Sequence, residues 1–194
     1  MENLSNAELV NLVKDGHNAP NKSRDALGIL YDRHQAQIFH YLMFRLNNQQ
    51  QAEDLTGEVF VRMLKALPGY QERKIPFEAW LYRIARNLLI DEYRKERLRW
   101  SFPLHEMDHI PGDDGGHEKF EAEWTIDSVR QALLQIEPSQ REVIELRFLM
   151  GLSAKDAALV LDKTVHAVKA LQHRGLQNLR LKIQEMEGRA NEQS

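Results

Sequence analysis

The sequence predicts an all-α protein made of two helical domains joined by an acidic flexible linker. Apolar residues recur three or four positions apart through both halves of the chain, which is the periodicity of packed helices. No segment shows the strict alternation of a half-buried strand. Between Phe102 and Gly116 the helical pattern stops, and prolines, glycines and acidic residues accumulate. We therefore expect domains over 1–100 and 125–194, with the linker at 101–124.

Four helices are expected in the N-terminal domain. Ser5 and Glu8 form a capping box at the start of the first helix, and the second begins near Ser23. The third covers about 50–67, and the fourth opens at Pro76 and runs to about residue 99. Their apolar stripes predict these core positions: Leu27, Leu30, Tyr31, Ile38, Tyr41, Leu42, Leu55, Val59, Phe60, Met63, Leu64, Phe77, Trp80, Leu81, Ile84, Ala85, Leu88 and Leu89.

The C-terminal domain begins with a return of helical periodicity near Glu118. Pro138 starts a short helix that Gly151 ends. The apolar positions expected on this short helix are Val143, Ile144, Leu146 and Phe148.

A helix-turn-helix is predicted at the C-terminal end. A short helix over 154–161, a tight turn at Asp162 and Lys163, and a long helix over about 164–186 have its spacing. Such a second helix can enter a major groove. Its expected packing face consists of Val165, Val168, Leu176, Leu179 and Ile183.

The net charge of −3 conceals two basic segments. Residues 73–100 carry +4 and residues 128–194 carry +2, whereas residues 101–127 carry −7. From Lys163 to Lys182 there are five basic residues and no acidic one, which favours nucleic-acid binding over an ordinary solvated helix.

The fourth helix is also basic on the side opposite its apolar stripe. This side carries Arg83, Arg86, Asn87, Arg94 and Arg97. The loop before it holds an aromatic residue and cations, at Tyr70, Arg73 and Lys74. A loop of this kind beside a basic helix can accept an unstacked base and its backbone. Trp80 lies on the apolar side, so we expect it to pack rather than to stack on a base.

An enzyme is not expected. The chain has no cysteine, no phosphate-binding loop, no dinucleotide-binding turn and no nucleophile elbow. Residues 105–109 (HEMDH) match a zinc-binding motif, but the prolines at 103 and 111 leave room for at most one helical turn. We therefore expect no catalytic residue, no metal and no cofactor. The polar N-terminus and the absence of a long apolar run predict a cytoplasmic protein without membrane insertion.

Four stretches resemble bacterial sigma factors of the extracytoplasmic-function (ECF) class, within the sigma-70 family. In chain order they are 52–62 (AEDLTGEVFVR), 77–91 (FEAWLYRIARNLLID), 139–147 (SQREVIELR) and 168–174 (VKALQHR). Two departures stand out. Gly57 replaces the usual Gln, and Ala170 with Leu171 replaces the common Ser-Arg pair.

The resemblance implies a region 2-like N-terminal domain and a region 4-like C-terminal domain. The first would dock on the polymerase β-prime clamp and capture the melted minus-ten element; the second would read the minus-thirty-five element. The β flap and an anti-sigma factor are further implied partners, and the acidic linker would thread the polymerase channels. The implied polymerase contacts are Asp54, Leu55, Glu58, Phe60 and Arg62. The implied minus-ten contacts are Tyr70, Arg73, Lys74, Arg83, Asn87, Arg94, Lys95 and Arg97. The implied minus-thirty-five contacts are Lys163, Thr164, His166, Ala167, Lys169, Ala170, His173, Arg174 and Gln177.

A different reading is a stand-alone helix-turn-helix regulator whose N-terminal helices dimerise. That reading predicts a stable dimer that binds a palindromic duplex without polymerase. A sigma factor is expected to be a monomer when free, because the polymerase sets the spacing between its two DNA sites.

Overall fold

The structure is a computed structural model that describes residues 1, 3–16, 18–46, 48–99 and 126–192. Within these ranges the chain is helical and contains no strand, which confirms the predicted all-α class. The expected linker, with the HEMDH stretch, lies outside the described residues. The α-helices are α1 (Asn6–Lys14), α2 (Pro20–Leu46), α3 (Gln49–Ala66), α4 (Phe77–Arg99), α5 (Ile126–Leu134), α6 (Pro138–Ile144), α7 (Ala154–Leu161) and α8 (Val165–Glu192).

The starts of the first helices follow from local chemistry. The Ser5 hydroxyl accepts the Glu8 amide at 3.3 Å, and the Glu8 carboxylate accepts the Ser5 amide at 2.7 Å, so the predicted capping box is present. Helix α2 begins at Pro20, three residues before the predicted start at Ser23. Proline suits the first helical position because its fixed φ is already helical and its missing N–H has no partner there.

Helices α1 to α4 pack around an apolar core that includes most of the predicted positions. The largest side chains with almost no exposure in this half are Leu9, Leu30, Ile38, Tyr41, Leu42, Met63, Phe77, Leu81 and Leu89. Two core predictions are wrong: Tyr31 is 40% exposed and Leu64 is 38% exposed. The apolar stripes of α2 and α3 are wider than the faces that neighbouring helices cover, so the residues at their edges remain at the surface.

The C-terminal half is formed by α5 to α8. Helix α7 has the predicted bounds, and its core residues Ala157, Val160 and Leu161 pack near Val168 of α8. Asp162, at the turn between the two helices, has a left-handed backbone with φ 54°. This residue ends α7 and redirects the chain into α8.

Helix α6 is shorter than predicted. It ends at Ile144 and continues as a π-helical turn over Glu145–Leu149, in which the Met150 amide donates to the Glu145 carbonyl at 2.9 Å. The wider turn moves Phe148 out of the expected apolar stripe, and this residue is 52% exposed. Gly151 then takes φ 72°, a conformation that glycine adopts without strain.

The two halves are in contact with one another. Helix α4 packs against α7, and one apolar cluster continues from the N-terminal core to Val143, Leu146 and Leu152. Phe44 of α2 packs against a second cluster, which consists of Leu133 of α5, Ile136 of the α5–α6 connection and Ile144 of α6. The sequence pattern did not predict this contact.

Candidate functional site

The exposed face of α3 carries carboxylates and apolar side chains together. Asp54 is exposed, and Val61 and Leu64 are 42% and 38% exposed. Glu58 accepts a hydrogen bond from Arg62 Nε at 2.9 Å, and this guanidinium holds the pKa of the Glu58 carboxyl below its ordinary value. This face therefore offers an apolar surface beside the Asp54 carboxylate and the Glu58–Arg62 ion pair.

Two of the predicted polymerase contacts lie partly or wholly beneath this face. Phe60 is only 6% exposed, and its ring lies 4.7 Å from that of Tyr31, centroid to centroid. Leu55 is half-buried against the core. Arg62 also reaches Asp91 of α4 at 3.3 Å, which ties α3 to α4. Sequence reasoning missed Val61 and Leu64, because their spacing is equally typical of core positions.

The loop between α3 and α4 is organised by Tyr70. Its ring is 5% exposed and stacks on Trp80, with centroids 4.3 Å apart and an interplanar angle of 25°. The hydroxyl lies 2.9 Å from the Ile75 carbonyl oxygen and also contacts the Glu72 carboxylate. Burial, followed by the nearby Glu72 carboxylate, raises the pKa of this phenol. Tyr70 therefore shapes the loop from below.

A cleft of about 410 Å³ opens between this loop and α4. It brings together four predicted minus-ten residues, Tyr70, Lys74, Arg83 and Asn87, with Trp80 forming part of its wall. The cleft thus combines an aromatic wall, two cations and an amide, which are groups suited to a nucleotide.

The remaining predicted minus-ten residues lie outside the cleft. Arg73 is exposed and donates to the Gln71 side chain at 3.3 Å. Arg94 and Lys95 are exposed further along α4, where Lys95 pairs with Glu92 at 3.2 Å. The side chain of Arg97 lies outside the described residues.

The helix-turn-helix presents its polar face to solvent. The Thr164 hydroxyl accepts the Ala167 amide at 3.1 Å and so caps α8. Two packing predictions are wrong, since Val165 is 39% exposed and Leu176 is 40% exposed; Val168 and Ile183 are buried as expected. The exposed predicted contacts are Lys163, Thr164, His166, Lys169, His173, Arg174 and Gln177, whereas Ala167 and Ala170 are half-buried.

A second exposed apolar surface lies on the π-helical turn. Phe148 is 52% exposed and the adjacent Leu149 is 46% exposed. Sequence reasoning assigned Phe148 to the core and did not single out Leu149. The signal for this surface is the short apolar run from Phe148 to Met150 that directly precedes Gly151.

Comparisons with known proteins decide the family. Residues 30–99 match the family model for sigma-70 region 2, and residues 126–179 match that for sigma-70 region 4. The ECF RNA polymerase sigma factor SigX of Bacillus subtilis is 32% identical over 157 residues, which cover 78% of this chain and 80% of SigX. The chain belongs to the ECF class of the sigma-70 family.

Two other similar ECF sigma factors are matched over only part of their length. BldN of Streptomyces coelicolor is 35% identical over 161 residues, covering 80% of this chain and 59% of BldN. SigD of Mycobacterium tuberculosis is 35% identical over 133 residues, covering 68% of this chain and 63% of SigD. The chain therefore spans about three fifths of the length of these two sigma factors.

Solved sigma-factor structures share the fold. CnrH, solved in complex with the cytosolic domain of CnrY, superposes with a TM-score of 0.66 at 24% identity over 91% of this chain and 96% of CnrH. RpoE of Bartonella quintana, solved with the anti-sigma factor NepR, gives 0.60 at 19% identity over 79% of this chain and 94% of RpoE.

The family models divide the candidate site between them. Region 2 contains the α3 face, α4 and the cleft residues between Gly69 and Asn87, whereas region 4 contains the helix-turn-helix and Leu159, which also lines the cleft. Among the described residues of this ECF sigma factor, no group of three metal-ligating side chains is placed to hold an ion. Within the same ranges, no helix is long and apolar enough to cross a membrane.

Proposed function

We propose that this chain binds core RNA polymerase and directs it to promoters, with residues 1–100 and 125–194 acting as separate recognition domains. The observation that carries this proposal is the presence, in chain order, of sigma-70 regions 2 and 4, each with a cationic surface. The proposed function is binding and strand separation, with no covalent step by the chain itself.

The α3 face is the proposed site for the β-prime clamp. Exposed Val61 and Leu64 supply apolar area, and Asp54 and Glu58 complement a basic partner surface. Phe60 supports this face from below. The exposed pair Phe148 and Leu149 is the proposed contact of the C-terminal half with the β flap.

The cleft beside α4 is the proposed site for minus-ten DNA. An unpaired base can enter the space next to Trp80, while Lys74 and Arg83 face its phosphates and Asn87 offers amide hydrogen bonds. Single-stranded DNA is the substrate that such a cleft fits, because a paired base cannot leave the stack without melting.

The exposed face of α8 is the proposed reader of the minus-thirty-five element. Lys169 and Arg174 are suited to phosphate oxygens, and His166, His173 and Gln177 can reach base edges in a major groove. Because the two half-buried alanines, Ala167 and Ala170, have no polar side-chain atom, any contact they make with a base is apolar. A thymine methyl group fits that requirement.

A protein regulator is the third proposed partner. CnrH and RpoE were solved with CnrY and the anti-sigma factor NepR, respectively. We infer that an anti-sigma factor of this general kind holds the present chain inactive, and that the free chain is a monomer. The stand-alone dimeric regulator is not favoured, because both halves match sigma-factor regions.

Polymerase binding by an Asp54→Arg variant tests the proposal. The substitution places a cation on the α3 face, and we expect core affinity to fall at least about tenfold, or about 1.4 kcal/mol. The Asp32→Arg variant has the same charge change on an exposed position of α2 and should bind core polymerase normally. Equal affinities for the two variants would refute the assignment of the α3 face.

A further inference from the structure

The contact between the two halves contains a compact group of charges. Glu142 of α6 accepts hydrogen bonds from Arg86 of α4, with Nε at 2.9 Å, and from Arg45 of α2, with Nη1 at 3.4 Å. The same carboxylate therefore bridges two arginines that belong to the opposite half of the chain. The side chain of Glu142 is only 14% exposed, so this pairing is largely shielded from water.

A second carboxylate completes the group. Glu145 is 2% exposed and pairs with Arg45, and it also lies 3.6 Å from Arg141. The Arg45 guanidinium sits 5.0 Å from the centroid of the Tyr41 ring, which is itself buried. Within the described part of the chain, Arg45 Nε finds no hydrogen-bond acceptor. Arg45 is thus held between the halves by carboxylates that only the C-terminal half supplies.

The contact also covers part of α4. Leu159 of α7 lines the same cleft as Arg83 and Asn87, so the first helix of the helix-turn-helix lies against the proposed minus-ten surface. In this arrangement α7 forms one wall of the cleft. Because the cleft would have to accept a base and its backbone, this wall limits the space for them.

An interface of this composition is suited to reversible closure. Buried ion pairs lose much of their Coulombic gain to desolvation, so they specify an arrangement without making it strongly favourable. Contacts between domains of one chain resemble transient protein interfaces, and relative motion is their ordinary behaviour unless the shared apolar area is large. Here the apolar part of the contact, which includes Val143, Leu146 and Leu152, has to separate together with the charged group. Polymerase or DNA can therefore compete with such a contact.

We propose that Glu142, held between Arg45 and Arg86, latches a closed state of the free chain in which α7 of the C-terminal half forms one wall of the cleft beside α4. Opening of this latch moves α7 away from the cleft and widens the space beside Arg83 and Asn87, which are themselves exposed in the closed state. This partial masking of the cleft rests on the proposed function, whereas the closed state itself does not.

Small-angle X-ray scattering of the full free chain tests the closed state directly. A compact 194-residue chain has a radius of gyration of about 16 Å, and two separated halves exceed about 20 Å. The Glu142→Arg variant, which puts three cations together, should expand, whereas the Asp32→Arg variant should not. The double variant Arg86→Glu/Glu142→Arg restores an opposite-charge pair and should return to the smaller radius.

A second variant guards against simple misfolding. Leu159→Glu breaks the α4–α7 contact without touching the charged group, and it should also expand the chain while circular dichroism shows unchanged helix content. If Glu142→Arg keeps the wild-type radius, Glu142 is not the latch; if Leu159→Glu keeps it as well, the closed state is refuted.

Binding of fluorescein-labelled single-stranded DNA of random sequence tests the masking. We expect the free Glu142→Arg variant to bind this DNA about tenfold more tightly than the Asp32→Arg variant. Such a gain results if the open state, which binds DNA, rises from about one tenth of the molecules to nearly all of them. Expansion without this gain overturns the masking. Wild-type chain assembled with core polymerase is assayed in parallel, and a failure of that complex to bind promoter DNA would instead count against the proposed function.

Discussion

Replacement of Tyr70 by phenylalanine separates two roles that this residue could have in the minus-ten cleft. The structure places the ring beneath the loop, where it stacks on Trp80 and lies edge-on to Phe77 with centroids 5.9 Å apart. The hydroxyl, 2.9 Å from the Ile75 carbonyl oxygen, joins the two ends of the loop. In this arrangement the hydroxyl stabilises the loop, and Tyr70→Phe should cost stability.

The size of the effect follows from these contacts. Loss of one hydrogen bond costs about 0.5–1.5 kcal/mol net, and the Ile75 carbonyl, on a residue 9% exposed, then lacks this donor. We therefore expect Tyr70→Phe to lower the free energy of unfolding by about 1–2 kcal/mol. Both ring contacts survive in this variant. Tyr70→Ala removes them as well, and its cost should rise to about 3–5 kcal/mol.

Urea unfolding measured by circular dichroism, together with single-stranded DNA binding, decides between the roles. If the hydroxyl supports the loop, Tyr70→Phe lowers the free energy of unfolding. Any loss in the free energy of DNA binding is then no larger than that loss of stability. If stability is unchanged while DNA affinity falls, the hydroxyl contacts DNA directly and the reasoning from its burial is wrong.

Three further predictions concern stability. Gly57→Ala should raise the free energy of unfolding by about 1 kcal/mol in urea titrations, because an added Cβ meets nothing within 4 Å and alanine favours the helix. An unchanged free energy of unfolding would show that α3 needs this glycine. Gly151→Val should lower the thermal midpoint and cost about 1–2 kcal/mol, since φ 72° is strained for a β-branched residue, and an unchanged midpoint would contradict that backbone conformation. Burial lowers the pKa of His34 from its ordinary 6.5, so below this pH the unfolded chain binds a proton more readily than the folded chain. The free energy of unfolding should therefore fall as the pH drops below 6.5, and it should fall by less in the His34→Gln variant. Equal pH dependence of wild type and this variant in urea unfolding would exclude His34 as the source.

Much of the fold could be predicted because its signals are local. The capping box at Ser5, the bounds of α7 and the turn at Asp162 each depend on residues a few positions apart, and the structure confirms all three. The exposure of Tyr31 and Leu64 could not be predicted from residues close to them in sequence. Periodicity identifies an apolar stripe, but only the neighbouring helices determine how much of that stripe is covered.

The contact between the halves had no local signal at all. Glu142 is 56 residues from Arg86 and 97 from Arg45 in sequence, and each is an ordinary member of a charged helix face. The four predicted minus-ten residues that line the cleft are a partial contrast. Tyr70 and Lys74 stand in one loop and Arg83 and Asn87 one turn apart on α4, so the sequence placed them near each other but could not show that the tyrosine ring faces inward.

Transcription by purified core RNA polymerase on fragmented genomic DNA from the source organism tests the central claim most directly. Addition of the wild-type chain should produce discrete start sites that are absent with core polymerase alone, and the Asp54→Arg variant should reduce them while Asp32→Arg does not. The proposed sigma-factor function is contradicted if polymerase produces no new start sites while the chain alone shifts duplex DNA as a dimer.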